Sequence, residues 1–170
     1  NDNFRADTQP KVFRIAEPEK ATGGYVFRAQ NQVVVMEAEH YHSKHEAKEA
    51  KWTVIPYMGR TLSGLALMPY SKDVAGASIS YKMELPSEVT EVTVHIVVKS
   101  TLAFKNPKGH RYEVGFDGGE SQTVNFNHNL NEDPKNVYSV FYPTVARRVV
   151  ESKVNLKLPS NGEALRTLTL

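Results

Sequence analysis

Two carboxylates in the first dense apolar run of the chain are the residues whose spacing most directly suggests chemistry. Glu37 and Glu39 lie two residues apart in the segment 33–39, whose composition predicts a β-strand. Side chains two apart in a strand project to the same side, so the two carboxylates are expected side by side. Adjacent oxygen ligands suit calcium. The alternatives are that the pair binds Arg60 or forms solvated carboxylates at a sheet edge.

Aromatic residues further along form a second candidate group. Trp52, Tyr57 and Tyr70 could stack on sugars, because aromatic faces complement the C–H groups of pyranose rings. The alternative is that they fill the core, which we favour for Trp52, the only tryptophan in the chain. The planar guanidinium of Arg60 fits a carboxylate, either of a ligand or of the nearby glutamates.

The segment 52–70 must bend sharply, because Pro56, Gly59 and Gly64 interrupt any continuous strand. It is also too apolar for a solvated loop. We therefore expect Trp52 and Ile55 to be buried. We expect Tyr57 and Met58 to stay partly exposed near Arg60, as an interface.

The sequence contains no recognisable catalytic centre. The absence of cysteine excludes thiol catalysis. Neither a glycine-rich phosphate loop nor a nucleophile elbow is present. Asp73, Asp117 and Asp133 are predicted in loops or turns, and Asp117 is explained by the hairpin signal Asp-Gly-Gly at 117–119.

Composition narrows the class of protein. A chain of 170 residues, 40% of them hydrophobic, fits one domain with a packed core. The net charge of +2 comes from interspersed Lys, Arg, Asp and Glu, so no nucleic-acid partner is expected. No apolar run approaches the roughly 18 residues of a membrane span, so no membrane partner is expected either.

Alternation of apolar and polar residues predicts an all-β protein built as an antiparallel β-sandwich. The clearest alternating segments are 79–85, 92–98, 112–116, 154–158 and 168–170. Residues 1–30, broken by proline and glycine, are predicted to be an irregular N-terminal linker, with residues 31–170 as the sandwich. The segment 43–51 is predicted to be a helical turn or loop, and a short helix is predicted within 144–152.

Two motifs carry a family resemblance. The run Val-Met-Glu-Ala-Glu-His-Tyr at 35–41 resembles the first strand of carbohydrate-binding module families 6 and 35, which implies a jelly-roll-like sandwich of the kind found in those modules. Together with the segment Trp-Thr-Val-Ile-Pro-Tyr-Met-Gly-Arg-Thr at 52–61, it resembles the C-terminal domain of glycoside hydrolase family 115 over roughly residues 25–170.

The resemblance implies a role and partners. Family 115 enzymes are xylan α-1,2-glucuronidases whose catalytic residues lie in other domains, so this domain is expected to be non-catalytic. Its expected partners are the other domains of the parent enzyme, a second subunit and xylan-type glycans. The alternatives are a stand-alone carbohydrate-binding module or an extracellular adhesion or scaffold domain.

The resemblance also implies a cofactor and a location. In families 6 and 35 the acidic residues of the first strand help to bind a structural calcium, which would make Glu37 and Glu39 its ligands. Family members continue past the position of Leu170 with a strand that carries another acidic residue, so a ligand from that strand is in doubt here. A periplasmic or secreted location is expected, with the signal peptide outside this chain.

Overall fold

A computed structural model shows a protein built mostly of short strands. The residues it describes are 19–21, 23–59, 61–105, 108–128, 135, 137–160 and 163–170. Within them no helix is long and apolar enough to span a membrane.

The strands, in chain order, are β1 (Glu19–Ala21), β2 (Gly24–Arg28), β3 (Ser43–His45), β4 (Lys51–Ile55), β5 (Gly64–Met68), β6 (Ser78–Glu84), β7 (Glu91–Lys99), β8 (Arg111–Phe116), β9 (Ser121–Asn125), β10 (Val149–Lys157) and β11 (Leu165–Thr169). A π-helical turn, Val137–Phe141, leads into one short helix, α1 (Tyr142–Arg147).

The predicted all-β sandwich is confirmed. One sheet of seven strands runs in the order β1-β2-β6-β11-β8-β9, with β3 also paired to β6. Two further sheets consist of the pairs β7–β10 and β4–β5. The pairings are antiparallel except that between β2 and β6, which is parallel.

The core lies between the large sheet and the β7–β10 pair, as the alternation predicts. The large sheet contributes Ile79, Tyr81, Met83, Val114, Phe116 and Leu168. Strand β10 faces them with Val154 and Leu156, and alternate residues of β7 pack against the same cluster. Burial of one face of each strand therefore places the residues between them towards solvent.

The chain joins the sheet before residue 31, where the sandwich was expected to begin. Strand β2 pairs with β6, and Phe27 is only 3% exposed within the core. The glycine pair at 23–24 instead lies at the start of this strand, where Gly24 has a φ of 138° and a Cβ would lie 2.4 Å from the His42 carbonyl oxygen. Strand β2 joins the sheet because burial of the apolar Phe27 side chain stabilises the fold.

The predicted strand over 33–39 is wrong. Val33 forms only an isolated bridge with Gln30 across a tight turn, and the backbone from 34 to 42 is irregular. Strands β2 and β3, on either side of this segment, both pair with β6 and occupy successive parts of it. The segment between them is therefore left without a strand partner, and its β-forming composition is overridden.

Two ambiguous segments adopt definite structure. The segment 43–51 forms strand β3 and then a loop, because Glu46 accepts a hydrogen bond from the Trp52 backbone N–H at 2.6 Å instead of capping a helix. The helix predicted within 144–152 is α1, shifted towards the N-terminus. It ends where Arg148 adopts a left-handed φ of 60°, and β10 begins at the next residue.

Candidate functional site: an anchored hairpin

Strands β4 and β5 form a hairpin with its own two-stranded sheet, from the pair Lys51–Met68 at its base to the pair Ile55–Gly64. Beyond that pair the chain turns at Pro56 and Tyr57, where Tyr57 has a φ of 58°. The Gly59 N–H donates to the Leu62 carbonyl at 3.0 Å. A Cβ at Gly59 would lie 2.5 Å from the Ser63 carbonyl oxygen, so this position requires glycine.

Glu37 and Glu39 hold the loop of this hairpin. The Thr61 hydroxyl donates a hydrogen bond to Glu37 Oε1, and the Ser63 backbone N–H donates to Glu39 Oε1 at 3.0 Å. The two carboxylates lie in a turn, closed by the His40 N–H on the Glu37 carbonyl, and not in the predicted strand. Both carboxylates nevertheless bind the same loop, because its two donors, Thr61 and Ser63, are also two residues apart.

The turn that carries the carboxylates is fixed to the core by Tyr81. Its hydroxyl donates to the Ala38 carbonyl at 2.8 Å, between the two glutamates. Burial raises the pKa of Tyr81, and the negative charge of Glu39 raises it further, so the phenol stays protonated as a donor. Hydrogen bonds thus connect strand β6 to the turn at residues 37–40, which we call the acidic turn, and connect that turn to the hairpin loop.

One carboxylate oxygen in this link has no donor among the described residues. Glu39 Oε2 is buried and makes no hydrogen bond there. A buried, unpaired carboxylate oxygen is costly and fits a cation. The predicted partner Arg60 lies outside the described residues.

The described residues do not supply a calcium site by themselves. Calcium takes six to eight oxygen ligands, whereas each glutamate already has one oxygen bonded to the loop and the Ala38 carbonyl bonds Tyr81. Within the described ranges no group of three or more His, Asp or Glu side chains is placed to hold a metal ion. Calcium at Glu37 and Glu39 therefore remains a prediction that needs further ligands.

Trp52 occupies the base of the hairpin and packs against the core. Its indole N–H lies between two carbonyls, 3.0 Å from Ser78 O and 3.1 Å from His45 O. The ring is partly buried, and Leu65 on the partner strand packs against the same core. This geometry favours core filling over sugar stacking at this position.

The far end of the hairpin exposes apolar side chains. Tyr57 is 97% exposed and Met58 40% exposed, and Val54 and Leu62 are also largely open to solvent. We call these four residues the hairpin tip. A side chain as large as tyrosine rarely adopts a positive φ, and such conformations persist where surrounding structure enforces them.

Tyr70 is separated from Tyr57 along the hairpin. It follows strand β5, so it lies beyond the base of the hairpin, whereas Tyr57 lies beyond its other end. Five residue pairs at about 3.3 Å per residue separate these ends, so these two rings form no common surface. Tyr70 instead packs edge-to-face on Phe104, with ring centroids 5.8 Å apart.

The aspartates considered for catalysis have structural partners where they are described. Asp117 adopts a positive φ in the β8–β9 turn and accepts hydrogen bonds from Arg166 at 3.1 Å and from the Thr167 N–H at 2.7 Å. Asp73 accepts the Ala75 N–H at 3.1 Å. Asp133 lies outside the described residues.

The sequence pattern did not identify Phe104 and His110. The two rings pack together with centroids 4.7 Å apart, next to Tyr70. Neither lies in an alternating segment. The sequence signal that could have identified them is the end of the apolar–polar alternation after β7, where aromatic and basic residues follow.

Comparison with known protein families identifies the family of this domain. No curated protein matches the chain significantly. A family model described as the glycosyl hydrolase family 115 C-terminal domain matches residues 26–169, from strand β2 to the end of β11. The match includes the acidic turn, the anchored hairpin and all the strands that form the core. The chain therefore belongs to the glycosyl hydrolase family 115 C-terminal domain family, which makes it an accessory domain of a glycoside hydrolase.

Proposed function

We propose that this domain is a non-catalytic part of a xylan α-1,2-glucuronidase and that its hairpin tip docks on the rest of the parent enzyme. The observation that carries the proposal is the exposure of Tyr57 at a positive φ. An exposed aromatic ring in a rare backbone conformation has an energetic cost that docking would offset. The contacted surface belongs either to an adjoining domain or to a second subunit.

The anchoring of the loop supports this role. The hydrogen bonds from Thr61 and Ser63 to the acidic turn restrict the loop before any partner binds. A pre-ordered loop loses less conformational entropy on association than a free one. Tyrosine and methionine are also enriched in the buried parts of protein interfaces. The tip thus combines suitable residue types with a rigid presentation.

The activity of the parent enzyme is inferred from the family. Family 115 enzymes remove glucuronic acid or its 4-O-methyl form from xylan, and their catalytic residues lie in other domains. We assign the same substrate class to the parent of this domain. Because xylan is an extracellular polymer, a periplasmic or secreted enzyme is part of the proposal.

The full-length parent enzyme provides the test. Tyr57→Ala is expected to weaken association between subunits, measured by sedimentation, or to loosen the domain in the monomer, measured by its melting temperature in the full enzyme. Release of glucuronic acid from xylan reports the consequence for activity. Tyr70→Ala, at the opposite end of the hairpin, is the matched control for sedimentation and melting.

The outcomes separate the possibilities. A change in sedimentation assigns the tip to a subunit interface, and earlier melting without such a change assigns it to an adjoining domain. If Tyr57→Ala and Tyr70→Ala both behave as the wild type, the tip is not a docking surface. If the parent enzyme releases no glucuronic acid, the substrate assignment fails while the docking proposal stands.

A further inference from the structure

Three rings form an aromatic platform at the base of the hairpin, away from the tip. Tyr70 is 64% exposed and Phe104 56% exposed, and they meet edge-to-face. Phe104 in turn packs edge-to-face on His110. We call Tyr70, Phe104 and His110 the aromatic platform. Two of its three rings are open to solvent, so a ligand can reach their surfaces without any rearrangement of the fold.

Two asparagines position this platform. Asn127 is buried, accepts a hydrogen bond from the backbone N–H of His110 at 2.7 Å and donates to the Thr101 carbonyl at 2.7 Å. Asn125 donates to the Lys108 carbonyl at 2.8 Å. Both ends of the segment that carries Phe104 are therefore fixed to the end of β9. A ring that is already ordered binds a ligand at a lower entropic cost.

Positive charge lies next to the rings. The Lys105 ammonium donates to the Lys72 carbonyl, and among the described residues no carboxylate is within ion-pair distance of it. An ammonium has three donors, so two are left for a ligand. Lys72 itself pairs with Glu49 at 3.2 Å. Lys105 is therefore a positive charge available for an anion at this surface.

His110 contributes a neutral ring. Burial lowers the pKa of His110, and the positive charge of Lys105 lowers it further. At neutral pH the imidazole is therefore uncharged and adds no second cation. Its Nε2 atom is buried without a hydrogen-bond partner among the described residues, and the ring packs edge-to-face on Phe104.

We propose that the aromatic platform and Lys105 bind a uronic acid residue of a polysaccharide. The apolar C–H face of the pyranose would lie on one of the two exposed rings and the other ring would flank the sugar, because the planes of Tyr70 and Phe104 are nearly perpendicular, at 87°. Aromatic rings pair with such faces while the hydroxyl groups stay hydrated. The sugar carboxylate would bind the Lys105 ammonium through a charge-assisted hydrogen bond. A neutral sugar would satisfy only the rings. The pairing of exposed rings with an unpaired cation therefore selects an acidic sugar.

This site is separate from the hairpin tip and does not depend on docking. It rests on the proposed function only for the choice of xylan as the polysaccharide. Retention of the 170-residue chain in affinity gels that contain glucuronoxylan, the same polysaccharide with its carboxyl groups reduced, or polygalacturonate measures binding directly. Each gel is compared with one that contains no polysaccharide.

Retention by glucuronoxylan, with weaker retention by its reduced form, is expected. Phe104→Ala should weaken binding about tenfold, in line with the energy of a stacking contact. Lys105→Gln should reduce binding to the level seen with the reduced polysaccharide. Tyr57→Ala, at the hairpin tip, is the matched aromatic control and should bind as the wild type does. Thermal melts establish that each variant is folded, and Tyr70→Ala replaces Phe104→Ala if the latter does not fold.

Each other result has a defined meaning. Retention by polygalacturonate but not by glucuronoxylan supports the acidic-sugar site and contradicts the xylan assignment. Equal retention by glucuronoxylan and its reduced form overturns the role of Lys105. Retention by none of the three polysaccharides, or equal losses for Tyr57→Ala and Phe104→Ala, overturns the proposal.

Discussion

The backbone N–H of Ser63 donates a hydrogen bond to the Glu39 carboxylate at 3.0 Å and joins two parts of the chain that are 24 residues apart. Thr61 and Glu37 make a second bond between the same two segments. The turn that carries the glutamates is itself bonded to Tyr81 in the core sheet. The hairpin loop is therefore held against the body of the domain and does not depend only on the β4–β5 pairing.

Loss of this anchor is expected to destabilise the domain. Glu39→Ala removes the carboxylate that accepts the Ser63 N–H, and hydrogen bonds to charged groups contribute about 1.5–3 kcal/mol. We expect a decrease of this size in the free energy of unfolding, measured by urea denaturation. Proteolysis within residues 56–63 should also become faster. Glu88→Ala, at an exposed position before β7, is the control, and equal effects of the two variants would contradict the anchoring role.

Two experiments, a change in calcium concentration and the substitution of Arg60, can identify the cation predicted at Glu39 Oε2. If calcium is the partner, its addition raises the melting temperature by mass action, and Glu39→Gln abolishes the increase. If the Arg60 guanidinium is the partner, EDTA leaves the melt unchanged and Arg60→Ala lowers it. Insensitivity to calcium, EDTA and Arg60→Ala would refute both versions of the prediction.

Truncation of two aromatic residues of the same hairpin should have different effects on the stability of the domain. Trp52→Ala removes a ring packed on the core and is expected to cost about 3–5 kcal/mol. Tyr57→Ala should leave the free energy of unfolding nearly unchanged, because the ring is exposed. Thermal melts of the isolated chain measure both. If Tyr57→Ala melts as early as Trp52→Ala, the hairpin tip is part of the core and the docking surface is misassigned.

The chain by itself is expected to show no glycosidase activity. Glycosidases need two carboxyl groups, about 5 Å apart in retaining enzymes and about 6.5–9.5 Å apart in inverting ones. Asp73 and Asp117 are instead engaged in turns. The measurement is glucuronic acid released from glucuronoxylan by the purified chain. Turnover above the blank that a single Asp or Glu substitution abolishes would disprove this expectation.

Local patterns were sufficient for the strands and for one turn. Alternation at Ile79, Tyr81 and Met83 places the same residues in the core, because a strand with one buried face has a period of two. The turn at Asp117-Gly118 follows from residues that tolerate positive φ, which both adopt. Neither inference needs information from distant parts of the chain.

Apolar–polar alternation could not show which strands pair with each other. Residues 33–38 have strand composition but form no regular strand, because the adjacent part of β6 pairs with β2 and β3. Whether a β-forming segment becomes a strand depends on a free partner edge. That edge is set by the whole sheet.

The sequence alone determined the fold class, the family and the two motifs that meet at the hairpin loop. Residue types and spacing suffice for the fold class, because they encode burial and turn geometry locally, and the family followed from the resemblance of the two motifs. Only the tertiary structure decided that Glu37 and Glu39 hold Thr61 and Ser63, that Tyr57 and Tyr70 lie at opposite ends of the hairpin, and that Tyr70 joins Phe104. These relationships depend on contacts between residues far apart in the chain, and the hydrogen bonds and packing that create them exist only once the sheets have assembled.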